Sequence, residues 1–184
     1  MEIKSARVIH DLYNGVVEGK KVIKGKKLFK DAKSFYENAN CSLAEETVMY
    51  EVYEYSEEDP KIIGNLAWGL TVMYPVLVNE ECNMTRGHFH EDLNCAEFYF
   101  GLAGEGLLLY MDENGKCFAE EVKPNTIHHI PGKYAHRLIN TSDEVFKVGA
   151  CWPSMTGQNY TAVEKMPFPY RVFKKGNEII VKER

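Results

Sequence analysis

From about Thr47 onward the chain reads as one short strand after another, each closed by a turn signal. That rhythm limits its possible folds more than any other feature. The segments are Val48–Tyr55, Leu66–Tyr74, Met84–His90, Glu97–Leu102, Gly106–Met111, Cys117–Val122, Thr126–Ile130, His136–Asn140 and Val145–Cys151. They are rich in β-branched and aromatic residues, and Glu113-Asn114-Gly115, Lys123-Pro124-Asn125 and Pro131-Gly132 punctuate them. Short strands at regular spacing build a sandwich or barrel. A doubly wound sheet needs helices between its strands, and none is patterned there. A final hairpin is expected at Tyr170–Phe173 and Glu178–Lys182, around Lys175-Gly176-Asn177.

The 184 residues suit a single domain with a substantial core. Residues 1–47 read as a peripheral N-terminal extension, about 48–160 as the core, and 161–184 as a C-terminal hairpin. Within the extension, Asn14-Gly15 is a hairpin-turn dipeptide and Asp31–Asn40 reads as a short helix. Lys20, Lys21, Lys24, Lys26, Lys27 and Lys30 read as a solvated face. The net charge of −5 gives no bulk attraction for nucleic acid. Five widely spaced cysteines without a CxxC pair argue against a disulfide framework. Residues 1–15 lack the apolar core of a signal peptide, and the uncharged run Leu66–Val78 is too short to span a bilayer. A cytoplasmic protein without membrane or nucleic-acid partners is expected.

His88-Phe89-His90 places two imidazoles on one face of a strand, because side chains alternate faces. Glu97 opens the next strand and shares its face with Tyr99, while His136 opens a later one. Three nitrogens and one carboxylate oxygen suit a divalent first-row metal. The set leaves coordination positions open, as catalytic rather than structural sites do. Fe²⁺, Mn²⁺, Ni²⁺ or Zn²⁺ each fit such donors. His128 and His129 are adjacent, so they face opposite sides of their strand and cannot share a site.

Gly87-His88-Phe89-His90, Glu97 with Gly104, and His136 with Asn140 resemble the two motifs of the cupins. Six residues separate His90 from Glu97, more than is usual in that superfamily. This gap, with residues 84–90 from Met84 to His90 and Ala96-Glu97-Phe98-Tyr99, resembles the cupin-type glucose-6-phosphate isomerases of archaea. Further similar stretches are Tyr50–Tyr53, Thr71–Pro75, Ala135–Arg137, and Gly157 with Tyr160.

The resemblance implies an all-β cupin double-stranded β-helix, a jelly-roll barrel, and interconversion of glucose 6-phosphate and fructose 6-phosphate by a homodimer. It implies His88, His90, Glu97 and His136 as ligands of one divalent metal per subunit, Fe²⁺ being the first expectation. Tyr50, Thr71, Thr85, Gly87 and Tyr160 match positions that surround the sugar phosphate; Arg86 and Tyr99 are expected beside them, and on the reaction chemistry Glu97 is the candidate catalytic base. Three positions depart from the family pattern. Arg86 stands where lysine is common, Trp152 where tyrosine is common, and Gln158 where some relatives carry histidine.

Moving a hydrogen between C1 and C2 requires stabilising negative charge on the attached oxygens, which a Lewis acid provides. An enediol route also needs a base; a hydride shift does not. Strict alternation puts Thr85 on the face opposite to His88 and places Arg86 with the histidines. A bulge at Gly87 would be required to turn Thr85 inward. Two other activities use much the same ligands: another cupin sugar-phosphate isomerase or epimerase, such as a mannose-6-phosphate isomerase, and a non-haem metal dioxygenase.

Overall fold

The computed structural model describes residues 1–12 and 14–184. The strands in chain order are β1 (Val8–Asp11), β2 (Val16–Gly19), β3 (Ile23–Leu28), β4 (Val48–Ser56), β5 (Leu66–Met73), β6 (Leu77–Val78), β7 (Glu81–Cys82) and β8 (Phe89–His90). There follow β9 (Glu97–Ala103), β10 (Gly106–Met111), β11 (Cys117–Val122), β12 (Ile127–Ile130), β13 (Ala135–Asn140), β14 (Phe146–Pro153), β15 (Gln158–Asn159), β16 (Tyr170–Lys175) and β17 (Glu178–Glu183). Among the described residues two short α-helices, α1 (Phe29–Ala32) and α2 (Tyr160–Lys165), accompany them. The molecule is thus nearly all β.

The largest sheet has the order β12-β9-β14-β5-β4-β3, with every neighbouring pair antiparallel. Facing it is a sheet of order β11-β10-β13. Bridges Met84↔Ile139 and His88↔His136 attach the segment leading into β8 to its β13 edge. Met49 and Met73 from the first sheet and Leu108, Tyr110 and Leu138 from the second meet in one buried cluster with Phe146. Strands with one inward face and antiparallel partners produce this two-layer core. The expected cupin jelly roll is what forms. Among the described residues, no helix is long and apolar enough to cross a membrane.

The N-terminal segment departs from the sequence reading. It is not peripheral, because β3 pairs along β4 from Ile23↔Glu54 to Leu28↔Val48, and Phe29 and Ala32 are buried in the main core. The helix expected over Asp31–Asn40 instead begins at Phe29 and passes into a 3-10 turn at Lys33–Phe35. Anchoring Phe29 in the core outweighs local propensity and moves the helix upstream. The helix α2 was not anticipated; the Asn159 side chain caps it by accepting from Ala162 N at 3.0 Å.

Met84–His90 is not a continuous strand. Three residues, 85–87, lie opposite two, 137–138, between the bridges Met84↔Ile139 and His88↔His136. This is a β-bulge, and Gly87 takes φ +77° within it. The extra residue resets the alternation, with consequences for the site.

Gly101 shows how tightly β9 approaches the turn before β12: a Cβ there would lie 2.1 Å from the Lys123 carbonyl oxygen. Gly101→Ala is therefore expected to destabilise by about 1–3 kcal/mol, through forced backbone displacement. Thermal unfolding followed by circular dichroism should show a fall of roughly 3–10 °C. An unchanged midpoint would mean that the turn yields freely.

Candidate metal centre

Backbone pairing sets the first two ligands. His88 N donates to His136 O at 3.3 Å and His136 N donates to His88 O at 3.1 Å, so the two residues oppose each other and project from one face. Their ring centroids are 4.5 Å apart. His90, two residues beyond His88, adds a third imidazole, centred 5.2 Å from that of His136. Glu97 comes from the opposite sheet, at the start of β9. One ligand atom from each of the four residues can be chosen so that all lie within 4.8 Å of one another. His90, Glu97 and His136 are buried, and His88 is partly so.

The donor set fits a cation on its own chemistry. Nδ1 of His90 lies 2.7 Å from the Cys95 carbonyl oxygen. A carbonyl can only accept, so Nδ1 carries a proton, and in the neutral ring Nε2 keeps its lone pair. His136 has the same arrangement, more loosely, with Nδ1 3.5 Å from Tyr134 O. The free Nε2 atoms lie 3.2 and 3.4 Å from the same Glu97 oxygen, Oε2. His136 Nε2 is buried without a hydrogen-bond partner. Lone pairs converging in a low-dielectric floor repel one another unless a positive ion lies among them.

Electrostatics keeps the ligands in binding form. Burial, reinforced by His136, lowers His88 to about 3, so its imidazole is neutral near pH 7. Burial pushes the Glu97 carboxyl up, but Nε2–H donation from His136 and His90, when those rings are protonated, outweighs it and holds its pKa at about 2; a cation among the same atoms would take the place of those protons. The carboxylate is thus ionised. Burial raises Tyr99 well above the ordinary phenol range, and its ring meets His136 edge-on at 5.6 Å. Tyr99 is a neutral donor beside the ligands.

These groups form the floor of a cavity of about 560 Å³. Tyr50, Thr71, Thr85, Arg86, Gly87, Tyr99 and Tyr160 all line it, together with the four ligands. The bulge resolves the parity conflict for Thr85, which turns inward and is fixed as its Oγ1 accepts from Leu138 N at 3.0 Å. Arg86 is carried to the cavity mouth. It pairs there with Glu164 of α2, and its guanidinium lies 4.5 Å from the Tyr160 ring centroid. Burial, opposed by a backbone bond from Arg86, pushes the Tyr50 hydroxyl up to about 12.

His128 and His129 diverge as alternation requires. His128 is buried, with Nδ1 2.6 Å from a Glu120 oxygen and Nε2 2.8 Å from Thr126 Oγ1; His129 is exposed.

Several cavity residues escaped the sequence reading. Lys27 is one. Lys24 and Lys30 pair with Glu51 and Glu46 on the outside, but Lys27 lies opposite Tyr50 in register and lines the cavity. Glu54, on the same face of β4 as Tyr50, is another; period-two alternation from Tyr50 could have found it. Trp152 fills space that Gly69 leaves, since a Cβ at Gly69 would lie 2.7 Å from the indole. Gln158 accepts a hydrogen bond from the Tyr160 hydroxyl, fixing that ring at the cavity edge.

The purified protein is expected to bind about one divalent ion per chain, with at least a tenfold loss of affinity in His136→Ala. Metal analysis after dialysis against limiting Zn²⁺ or Mn²⁺ measures both. Equal ion content in wild type and variant would move the site elsewhere.

A family model described as glucose-6-phosphate isomerase (GPI) matches residues 19–183. The chain is 34% identical over 175 residues to the glucose-6-phosphate isomerase of Thermococcus litoralis, covering 94% of this chain and 91% of that one. It is 33% identical over 173 residues to the enzyme of the same name from Pyrococcus furiosus, covering 93% and 90%. Among solved structures, oxalate decarboxylase from Bacillus subtilis matches 56% of this chain and 25% of its own, at 17% identity and a TM-score of 0.46.

Proposed function

The chain belongs to the glucose-6-phosphate isomerase family, and from that premise we propose that it is a metal-dependent enzyme working at the His88–His90–Glu97–His136 centre. It is an aldose–ketose isomerase, interconverting glucose 6-phosphate and fructose 6-phosphate. The observation that carries the metal dependence is the convergence of three imidazoles and one ionised carboxylate at the cavity floor. A divalent ion bound there, Fe²⁺ by first expectation, would act as a Lewis acid towards negative charge on the sugar oxygens.

The chain's own residues do the rest. Glu97 is ionised and faces the cavity, so it can take the proton from C2 and return it to C1 through an enediol. Tyr99, held as a neutral phenol, donates towards the oxygen on which charge builds. The hydroxyls of Tyr50, Thr71, Thr85 and Tyr160, the close backbone at Gly87, and the charges of Arg86 and Lys27 receive the rest of the sugar and its phosphate. Arg86 suits a phosphate because its planar fork gives two parallel hydrogen bonds. Burial of the floor strengthens each of these interactions relative to water. A homodimer in the cytoplasm, serving glycolysis and gluconeogenesis, is the assembly and setting we propose.

A coupled assay on fructose 6-phosphate should lose activity after EDTA treatment and regain it on reloading with single metals. Absence of metal-dependent product would overturn the metal-dependent reading, and oxygen uptake would favour the dioxygenase alternative.

Glu97→Gln should lower kcat by about 10²–10⁴-fold, the usual contribution of a positioned base, while most of the bound metal is retained. Parallel losses of metal and activity would leave Glu97 as a ligand only. Solvent deuterium appearing at C2 during turnover supports the enediol; its absence in an active enzyme points to hydride transfer.

A further inference from the structure

A second cavity, of about 440 Å³, lies beyond the wall formed by Arg86 and Tyr160. It opens between α1, α2 and β16, and none of the four metal ligands lines it. Arg137, Arg171 and Arg184 converge on it, with Arg86 and Lys27 shared between the two cavities. Lining acids are fewer, Asp31 and Glu164, and Glu164 is already paired with Arg86.

The guanidiniums are unevenly compensated: Arg171 forms a buried ion pair with Glu81, whereas Arg137 has no charged hydrogen-bond partner. Arg137 donates from Nη2 to the Arg86 carbonyl oxygen at 2.5 Å, has Nη1 3.1 Å from the Met84 sulfur, and lies 4.4 Å from the Phe168 ring centroid. Each of those partners is uncharged. Arg171 is only 6% exposed; its Nη1 bonds Glu81 at 2.6 Å and the Phe35 carbonyl at 3.1 Å. The Nε atoms of both Arg137 and Arg171 are buried without a partner. Arg184 is docked by its backbone N–H on the Pro169 carbonyl at 2.7 Å. Partial burial and the nearby charge of Arg171 push its pKa down, against the opposing pull of Glu81 and Glu37. Buried arginine donors are normally satisfied, and the single buried carboxylate of Glu81 leaves the Nε donors of Arg137 and Arg171 open to a further acceptor.

We propose that this crevice is a second anion site, separate from the sugar cavity, which takes a phosphate-bearing molecule between Arg137, Arg171 and Arg184. Planar forks around a small volume match phosphate oxygens, and the aromatic wall of Phe35 and Phe168 gives room for an organic part. Arg86 borders both cavities, so the two sites are neighbours across one side chain.

The test is calorimetric titration of inorganic phosphate into the metal-loaded protein at low ionic strength. The protein is first saturated with an equilibrated mixture of glucose 6-phosphate and fructose 6-phosphate. Binding of the sugar phosphates is recorded in that first titration, so a failure of the isomerase reading is seen separately. About one further equivalent of phosphate is expected. Its affinity should fall roughly tenfold in Arg184→Gln, the loss of one charge-assisted contact. Arg184→Lys should fall less, because it keeps the charge.

Circular dichroism of each variant controls for folding; Arg184 is exposed and its replacement leaves no buried acid unpaired. Tighter binding of phenyl phosphate than of inorganic phosphate would assign the site to organic phosphate esters, and the reverse to free phosphate. No phosphate bound beyond the sugar cavity, or affinity unchanged in Arg184→Gln, overturns the proposal. So does a change of oligomeric state in that variant without phosphate binding, which would assign the arginines to an interface between chains.

Discussion

The reciprocal backbone pairing of His88 with His136 is the contact on which the rest of the centre depends. It forces two imidazoles from distant parts of the chain onto one face, with their ring centroids 4.5 Å apart. Everything else answers that geometry. Cys95 and Tyr134 supply carbonyls that take the outer protons, and Glu97 supplies negative charge from the facing sheet. The cost of burying these groups without a cation explains why the site has the form of a receptor for one.

The bulge at residues 85–87 matters nearly as much. An unbroken ladder from Met84 to His90 would leave Thr85 facing away and bring a guanidinium beside the ligands. One extra residue, accommodated by the positive φ of Gly87, turns the Thr85 hydroxyl inward and sends Arg86 to the mouth. There Arg86 contacts Tyr160 and Glu164 of α2, so the bulge also determines what separates the cavity above the histidines from the arginine crevice.

Much of this was legible from local pattern. The core strands fell where alternation, β-branched residues and turn dipeptides placed them, usually within one or two residues. The shared face of His88 and His90 was visible because HxH spacing on a strand has a direct geometric meaning. The divergence of His128 and His129 followed from alternation alone. The failures share a cause. The helix at Phe29, the place of β3 in the main sheet and the inward position of Lys27 all depend on contacts with β4, tens of residues away in sequence. A lysine-rich segment looks solvated until its neighbour across the sheet is known.

The sequence by itself determined that His88 and His90 share one strand face and that His128 and His129 do not, because side-chain alternation is a property of the extended backbone. Tertiary structure decided which faces meet. It brought Glu97 across from one sheet to the histidines of the other, converted a run of seven residues into a bulge, and gathered Arg137, Arg171 and Arg184 around a crevice that no local spacing foretells. The physical reason is that register and packing are set by long-range hydrogen bonding and burial, which a linear pattern constrains but does not specify.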